Sequence, residues 1–398
     1  MTNNRVIVVG AGPVGLVAAV SLAAEGIPVT VVESQIEVVD DLRASTFHPP
    51  TLAYLDRFGI TPKLIEQGLH APHWQFRDRK QGEIATFDLS VLANDTPHPY
   101  RLQCEQWKLT RLLRDRLDAS PDTKIIYGLR AIEVEQTADD ATLTVEHDDG
   151  TRERLTGRYI IGADGARSVV RKSIGVSFEG ITHPELYLTL STTFPYEEHV
   201  PNLSKIAYIS DPDEWLVLLR TPKVWRVLFP TDPSIGDDVM LAPETVEKRL
   251  QAVVPAKMRY DIVHKTAYRV FERVVDRYYS GRVLLAGDAA HLNNPLGGMG
   301  MNGGIHDAVN LADKLTQVWR GADPALFGRY ERQRRKVALD TVQAVSMRNR
   351  QIMNTREPAA REAYFDEMRR TAADPVEARK YLLRSSMIQS LRDLESVA

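Results

Sequence analysis

Arg5-Val6-Ile7-Val8-Val9-Gly10-Ala11-Gly12-Pro13-Val14-Gly15 opens the first folded unit of the chain. The β-branched run Val6 to Val9 reads as a buried parallel strand, because it offers an apolar side chain to both faces. Apolar residues at helical spacing follow the glycines: Leu16, Ala19, Val20 and Leu22, ending near Gly26. A second strand, Val29-Thr30-Val31-Val32, closes on Glu33 and Ser34. Strand, G-x-G-x-x-G, helix, strand and acid at this spacing describe a dinucleotide-binding βαβ unit. Gly10 permits the tight turn, Gly12 lets backbone approach a pyrophosphate, and Gly15 lets helix lie on strand. Pro13 and Val14 begin a helix whose first N–H groups point into that turn. Glu33 is placed to accept from both hydroxyls of an adenosine ribose.

A second glycine-rich connection lies far downstream. The apolar run Arg282 to Ala286 leads into Gly287-Asp288, continues through Pro295, Gly297, Gly298 and Gly300, and enters a helix expected from about Gly303 to Trp319. Glycines admit a ligand to the backbone, and the helix start favours electron-rich oxygens. Asp288, at the carboxyl end of a strand, is placed to accept from ligand hydroxyls. This loop is expected to hold a large polar ligand.

The whole chain sets broad limits. Its 398 residues are 43% hydrophobic and 26% charged with a formal net charge of -3, which argues against nucleic-acid binding by bulk charge. The single cysteine, Cys104, allows no intrachain disulfide and fits a reducing compartment. No apolar run reaches the length of a membrane span, and no signal peptide is visible, so the expected location is cytoplasmic.

Between the two glycine loops the pattern changes several times. A helix is expected over residues 51–58, capped by Gly59, and a hairpin over 73–89 turning at Gln81-Gly82. A helix over 103–117 and two or three strands within 125–145 follow. Arg158 to Ile161 reads as another buried strand, ending in Gly162-Ala163-Asp164-Gly165-Ala166-Arg167-Ser168. Residues 185–230 are strand-like and rich in aromatics, the mark of a separate, mostly antiparallel sheet. After Gly303 the chain is largely helical. The basic run 329–336 reads as a solvated helix face. The expected class is α/β: a Rossmann-like unit over 1–180 with a small hairpin near 73–89, an inserted antiparallel β-sheet domain over 181–270, the second part of the first unit over 271–325, and C-terminal helices over 326–398.

The glycine turn with Glu33, the Gly162 to Ser168 motif, and Gly287-Asp288 with Pro295 and Gly297 to Asn302 occur in one order. That combination resembles the single-component FAD-dependent aromatic hydroxylases, the group that includes 4-hydroxybenzoate hydroxylase. The resemblance implies tight, non-covalent FAD, with NADH or NADPH and O2 as co-substrates. It implies that Gly10, Gly12, Gly15 and Glu33 hold the ADP half of FAD, and that Arg43 and Gln106 contact the cofactor. Asp164 would serve FAD and the nicotinamide nucleotide, Asp288 the ribityl or pyrophosphate region, and Gly298, Gly300, Met301 and Asn302 the flavin edge. The implied reaction passes through a flavin C4a-hydroperoxide to hydroxylate a small phenol or hydroxylated heteroaromatic. His48, before Pro49 in an extended segment, is the candidate base for the substrate hydroxyl. Tyr208, Trp215, Arg220, Arg226 and Pro295 are the candidate substrate contacts. No metal site is expected, and the enzyme would be a monomer or homodimer. Two other readings stay open: a membrane-face quinone or prenyl-phenol hydroxylase, and a non-catalytic redox-sensing module.

Overall fold

The computed structural model describes residues 4–40, 42 and 44–397. One sheet has the strand order Tyr279–Ser280, Val283–Leu285, Tyr159–Gly162, Val6–Val9, Val29–Val32, Thr123–Ile126. All neighbours are parallel except the Tyr279–Ser280 edge. Val6–Val9 and Val29–Val32 are buried at every residue, which accounts for their unbroken apolar character. Val9 lies opposite both Val32 and Gly162, and Gly162 opposite Leu285, so four strands end in step. The ladder continues into the loops: Gly10 N donates to Val32 O at 2.8 Å, Ala163 N to Val9 O at 2.9 Å, and Ala286 N to Gly162 O at 3.0 Å. Segments distant in sequence therefore meet along one edge, at the carboxyl ends of the strands.

The helices Pro13–Ala24 and Gly300–Trp319 pack against each other over this sheet. Glycine sets how closely the first helix lies on its turn and how closely the two helices approach. A Cβ on Gly15 would fall 2.0 Å from Gly10 O, and one on Gly304 would fall 2.6 Å from the Val14 side chain.

The second sheet has eight strands, in the order His291–Leu292, Ile262–Val275, Phe178–Thr192, Trp225–Thr231, Leu216–Arg220, Ile206–Ser210, His73–Asp78, Gly82–Asp88. It is antiparallel but for the Ile206–Ser210 and His73–Asp78 pair. The hairpin near 73–89 was expected as a small part of the first unit. It instead forms the edge of this sheet, because the open edge of Ile206–Ser210 accepts its backbone groups. Period-two alternation gives the sheet two different faces. Leu188, Leu190, Leu216, Leu218, Val227 and Phe229 pack with Val246 and Leu250 of the helix Pro243–Val253. Trp74, Phe76, Tyr187, Val217 and Leu228 face the C-terminal helices, packing with Phe365, Met368 and Leu382.

The basic run at 329–336 is not wholly solvated, as expected from its charge. Phe327, Tyr330, Arg334 and Val337 recur at helical spacing and form the buried stripe of Leu326–Val337. Arg334 is only 1% exposed. Its Nε donates to Asp307 Oδ1 at 2.5 Å. Asp307 also accepts from Gly287 N at 3.0 Å and from His291 Nε2 at 2.7 Å. Burial by itself would raise the Asp307 pKa, but His291 and Arg334 outweigh it and hold it at about 2. The folded pKa is thus depressed. Its contribution to stability is present above the unfolded value of about 3.9 and is lost as pH falls toward 2. Asp307→Asn keeps the shape but leaves a buried guanidinium without its counter-charge. It is expected to cost about 3–5 kcal/mol in urea unfolding at neutral pH, with a smaller loss near pH 2.5. An unchanged urea midpoint at neutral pH would remove the network from its supporting role.

Candidate active site

At the N-terminal turn, Gly10 has φ of +104°, a region open to glycine, and a Cβ there would strike Ala163 O. Gly12 is different. Its φ of -72° suits any residue, and a Cβ would meet no protein atom within 4 Å. Protein packing does not require glycine at this position. The free space lies at the start of Pro13–Ala24, where unpaired N–H groups favour a phosphate. The residues present therefore fit a dinucleotide. Glu33 is locked beside the turn: Oε2 accepts from Ala11 N at 2.7 Å, and Oε1 from Gln35 N at 2.9 Å and Ser34 Oγ at 3.0 Å. Arg43 lies outside the described residues. Gln106 begins the helix Gln106–Asp118, and its backbone N donates to Ala44 O at 2.9 Å.

Asp164 departs from expectation. Its carboxylate turns inward, accepting from Ser168 Oγ at 2.5 Å, Val169 N at 2.7 Å and Val170 N at 3.2 Å. It caps the short helix Val169–Ser173 instead of offering its oxygens to a ligand. Burial raises its pKa from the ordinary carboxylate value.

The loop from Gly287 is pinned at both ends. Gly287 N is held by Asp307, while Asp288 is exposed beside it. Pro295 O accepts from Gly298 N at 3.0 Å, and Gly297 and Gly298 have φ of +114° and +68°. Gly300, Met301 and Asn302 form the first turn of Gly300–Trp319, so their N–H groups have no i−4 carbonyl within the helix. The Asn302 side chain ties this turn to the His48 segment. Its Nδ2 donates to Thr46 O at 2.8 Å and Gly298 O at 2.7 Å; its Oδ1 accepts from His48 N at 2.9 Å and Thr51 Oγ1 at 2.7 Å.

Next to Gly297 lies an aromatic cavity lined by Trp74, Phe76, Tyr208, Tyr364, Tyr381 and Arg101, among others. Of the expected substrate residues, Tyr208 is on this wall, and its hydroxyl oxygen accepts from Gly297 N at 3.1 Å. The others are placed elsewhere. Trp215 stands behind the wall, donating Nε1–H to Asn354 Oδ1 at 2.9 Å and meeting Tyr187 edge-on. Arg220 ion-pairs with Glu197 at 3.5 Å and stacks on Trp225, at the end of its strand. Arg226 is buried and donates to Ser45 Oγ at 3.1 Å, against the His48 segment. Pro295 sits in the turn that carries Gly297 and Gly298.

His48 does not line the cavity either. It is fully buried behind Gly297, with Nε2 at 2.9 Å from Gly297 O. Burial, reinforced by the Arg101 charge, pushes its pKa well below 6.5, so the ring is neutral. Nε2 must then carry the hydrogen to meet a carbonyl oxygen. A ring so engaged secures the Gly297 turn. Pattern reading from sequence missed Arg101, Trp74, Phe76, Tyr364 and Tyr381. The strand Arg101–Gln103 reads Arg-Leu-Gln, and no local pattern in it marks Arg101 out.

Among the described residues no helix is long and apolar enough to cross a membrane, and no group of three or more His, Cys, Asp or Glu residues is placed to hold a metal ion. The family model described as FAD binding domain matches residues 3–345. Para-nitrophenol 4-monooxygenase of a Pseudomonas species is 36% identical over 403 residues, covering 99% of this chain and 98% of that protein. The 6-hydroxy-3-succinoylpyridine 3-monooxygenase of Pseudomonas putida is 32% identical over 85% of this chain and 86% of its own length. The crystal structure of p-nitrophenol 4-monooxygenase from Pseudomonas putida superposes with a TM-score of 0.92 at 32% identity, over 98% of both chains. These relatives do not favour a membrane-face hydroxylase or a redox sensor without turnover. By this family match and these relatives, the chain belongs to the FAD binding domain family and is an FAD-dependent aromatic monooxygenase.

Proposed function

We propose that the substrate is a small phenol or hydroxylated heteroaromatic, bound in the cavity beside Gly297 and hydroxylated at the expense of NAD(P)H and O2. The observation that carries this reading is a wall of aromatic rings with one cation, next to the start of Gly300–Trp319. The relatives named for nitrophenol and hydroxypyridine chemistry point the same way. Gly10, Gly12, Gly15 and Glu33 would hold the ADP half of FAD, and Asp288 with Gly298, Gly300, Met301 and Asn302 the remainder. What FAD supplies when bound is transfer of electrons from NAD(P)H to O2 and of one oxygen atom to the ring. The chain's own contribution is to seat the aromatic ring, exclude water and fix the Gly297 turn. We place the enzyme in the cytoplasm, as a monomer or homodimer. A chain with one cysteine, Cys104, buried as a free thiol, is consistent with that compartment.

The direct test uses the purified yellow protein. NADH or NADPH consumption is expected to rise when 4-nitrophenol or a hydroxypyridine is added, with an oxygenated product formed. No stimulation by any phenol or hydroxypyridine would overturn the substrate class. Gly12→Val is expected to yield protein that has lost most of its FAD, yet whose apoprotein keeps close to the wild-type urea midpoint, since a Cβ there meets no protein atom within 4 Å. Full yellow colour in that variant would count against this turn as the cofactor site.

His48→Ala separates two roles. A base removed from the site predicts a loss of about 10²–10⁴-fold that recovers as rising pH ionises the substrate. A residue holding Gly297 predicts a loss without pH recovery, together with more hydrogen peroxide released per NAD(P)H. We expect the second pattern, because Nε2 is engaged by Gly297 O. Recovery to wild-type rates at high pH would restore His48 as the base.

A further inference from the structure

Arg101 is 3% exposed and has no carboxylate partner among the described residues. Its Nε has no hydrogen-bond partner, one terminal nitrogen donates to Ser385 O at 3.5 Å, and the neutral Tyr208 hydroxyl is its other hydrogen-bonding neighbour. The guanidinium stands 5.7 Å from the centroid of the Trp74 ring. The groups that act on it electrostatically are two phenols, Tyr208 and Tyr381. None of the described residues lining the cavity is Asp or Glu. A guanidinium stays protonated in proteins, and a buried charge without a counter-charge is costly. An anionic ligand in the cavity would supply the missing counter-charge. The hydroxyl oxygen of Tyr208 already accepts from Gly297 N, so its own hydrogen is available to an acceptor in the same space.

We infer that Arg101 is the counter-ion of the substrate, which binds in the cavity as an oxyanion, the phenolate, with Tyr208 as second donor. This rests on the cavity being the substrate site proposed above. The anion is taken from solution, so the phenolic proton passes to bulk water and no protein base is needed to remove it. Ionisation enriches the ring in electrons, which suits attack by an electrophilic oxygen. The site then selects phenols acidic enough to ionise near neutral pH. The titratable groups around Arg101 are His48, Tyr208, Tyr364 and Tyr381. Burial first, then Arg101, keeps His48 well below 6.5, while burial lifts Tyr364 upward and Tyr381 to about 12.

The test measures binding of 4-nitrophenol to the oxidised holoenzyme, using the distinct absorption of its ionised form. Wild-type enzyme is expected to show the phenolate spectrum even below the free phenol's pKa. Its affinity is expected to weaken about tenfold per pH unit as pH falls below that pKa. Arg101→Met is expected to reverse the slope, binding the neutral phenol and weakening as pH rises. Its loss above the phenol's pKa is expected to be about ten- to a hundredfold. Arg101→Lys is expected to restore the wild-type slope in part, and 4-nitroanisole, which cannot ionise, to bind Arg101→Met no more weakly than wild type. The substrate-free Arg101→Met holoenzyme should melt no lower than wild type, since an unpaired buried charge is removed; a purely structural role predicts a lower melting point and an unchanged pH slope. An unchanged slope and phenolate spectrum in Arg101→Met overturns the inference, and the substrate class survives if 4-nitrophenol still stimulates NAD(P)H use by the wild type. If no phenol binds the wild type, the inference and the substrate class fall together.

Discussion

A single buried carboxylate, Asp307, holds the functional edge of the molecule together. It sits in the long helix Gly300–Trp319 and draws in three donors from three places: Gly287 N just beyond the strand Val283–Leu285, His291 in the short strand His291–Leu292, and Arg334 on the next helix. Removing an ion pair from water is expensive, and it is tolerated only when the remaining lone pairs and protons find partners. Here they largely do. The reward is positional. The glycine-rich loop from Gly287 is fastened at its first residue and again, through Asn302, near its end.

Asn302 extends the constraint to the opposite side of the site. Its amide satisfies two carbonyls and its oxygen two donors, so the Thr46 to Thr51 segment cannot shift without breaking buried hydrogen bonds. His48 adds another tie, to Gly297 O. Buried hydrogen bonds of this kind contribute modestly when made and cost more when one partner is lost. The backbone around Gly297 and Gly298 is therefore held by side chains, while glycine supplies the positive φ that the turn requires.

The large sheet presents two faces of different composition. One face is aliphatic and closes on Pro243–Val253. The other carries rings, stacked as in the Trp74 and Phe87 pair and the Phe87 and Tyr381 pair, and is covered by C-terminal helices. Such a face suits an aromatic guest, because ring edges and faces meet favourably at little entropic cost. Arg101 is the exception in that apolar setting. It enters from a third, small sheet formed by Thr46–Phe47, Arg101–Gln103 and Leu69–Ala71, the same sheet that carries the backbone up to His48.

By itself the sequence determined the parts whose physics is local. The β-branched run Val6 to Val9, the spacing of Gly10, Gly12 and Gly15, and the acid at Glu33 specify a dinucleotide turn, because strand period, helix start and glycine sterics act within about thirty residues. The glycines after Gly287 and the helix that follows were legible for the same reason. Pairing in space was not. The hairpin near 73–89 has a clear turn signal, but which edge it joins depends on strands more than a hundred residues away. Asp164 sits in a motif shared with a ligand-binding family, yet only the folded turn shows its oxygens spent on Ser168, Val169 and Val170. The solvated reading of the 329–336 run failed at Arg334 because charge alone does not reveal a partner such as Asp307 in another helix. Arg101, Tyr208 and Tyr381 converge from three remote segments, and their closeness is a property of the tertiary structure, since no local pattern encodes which side chains three separate elements will turn toward one cavity.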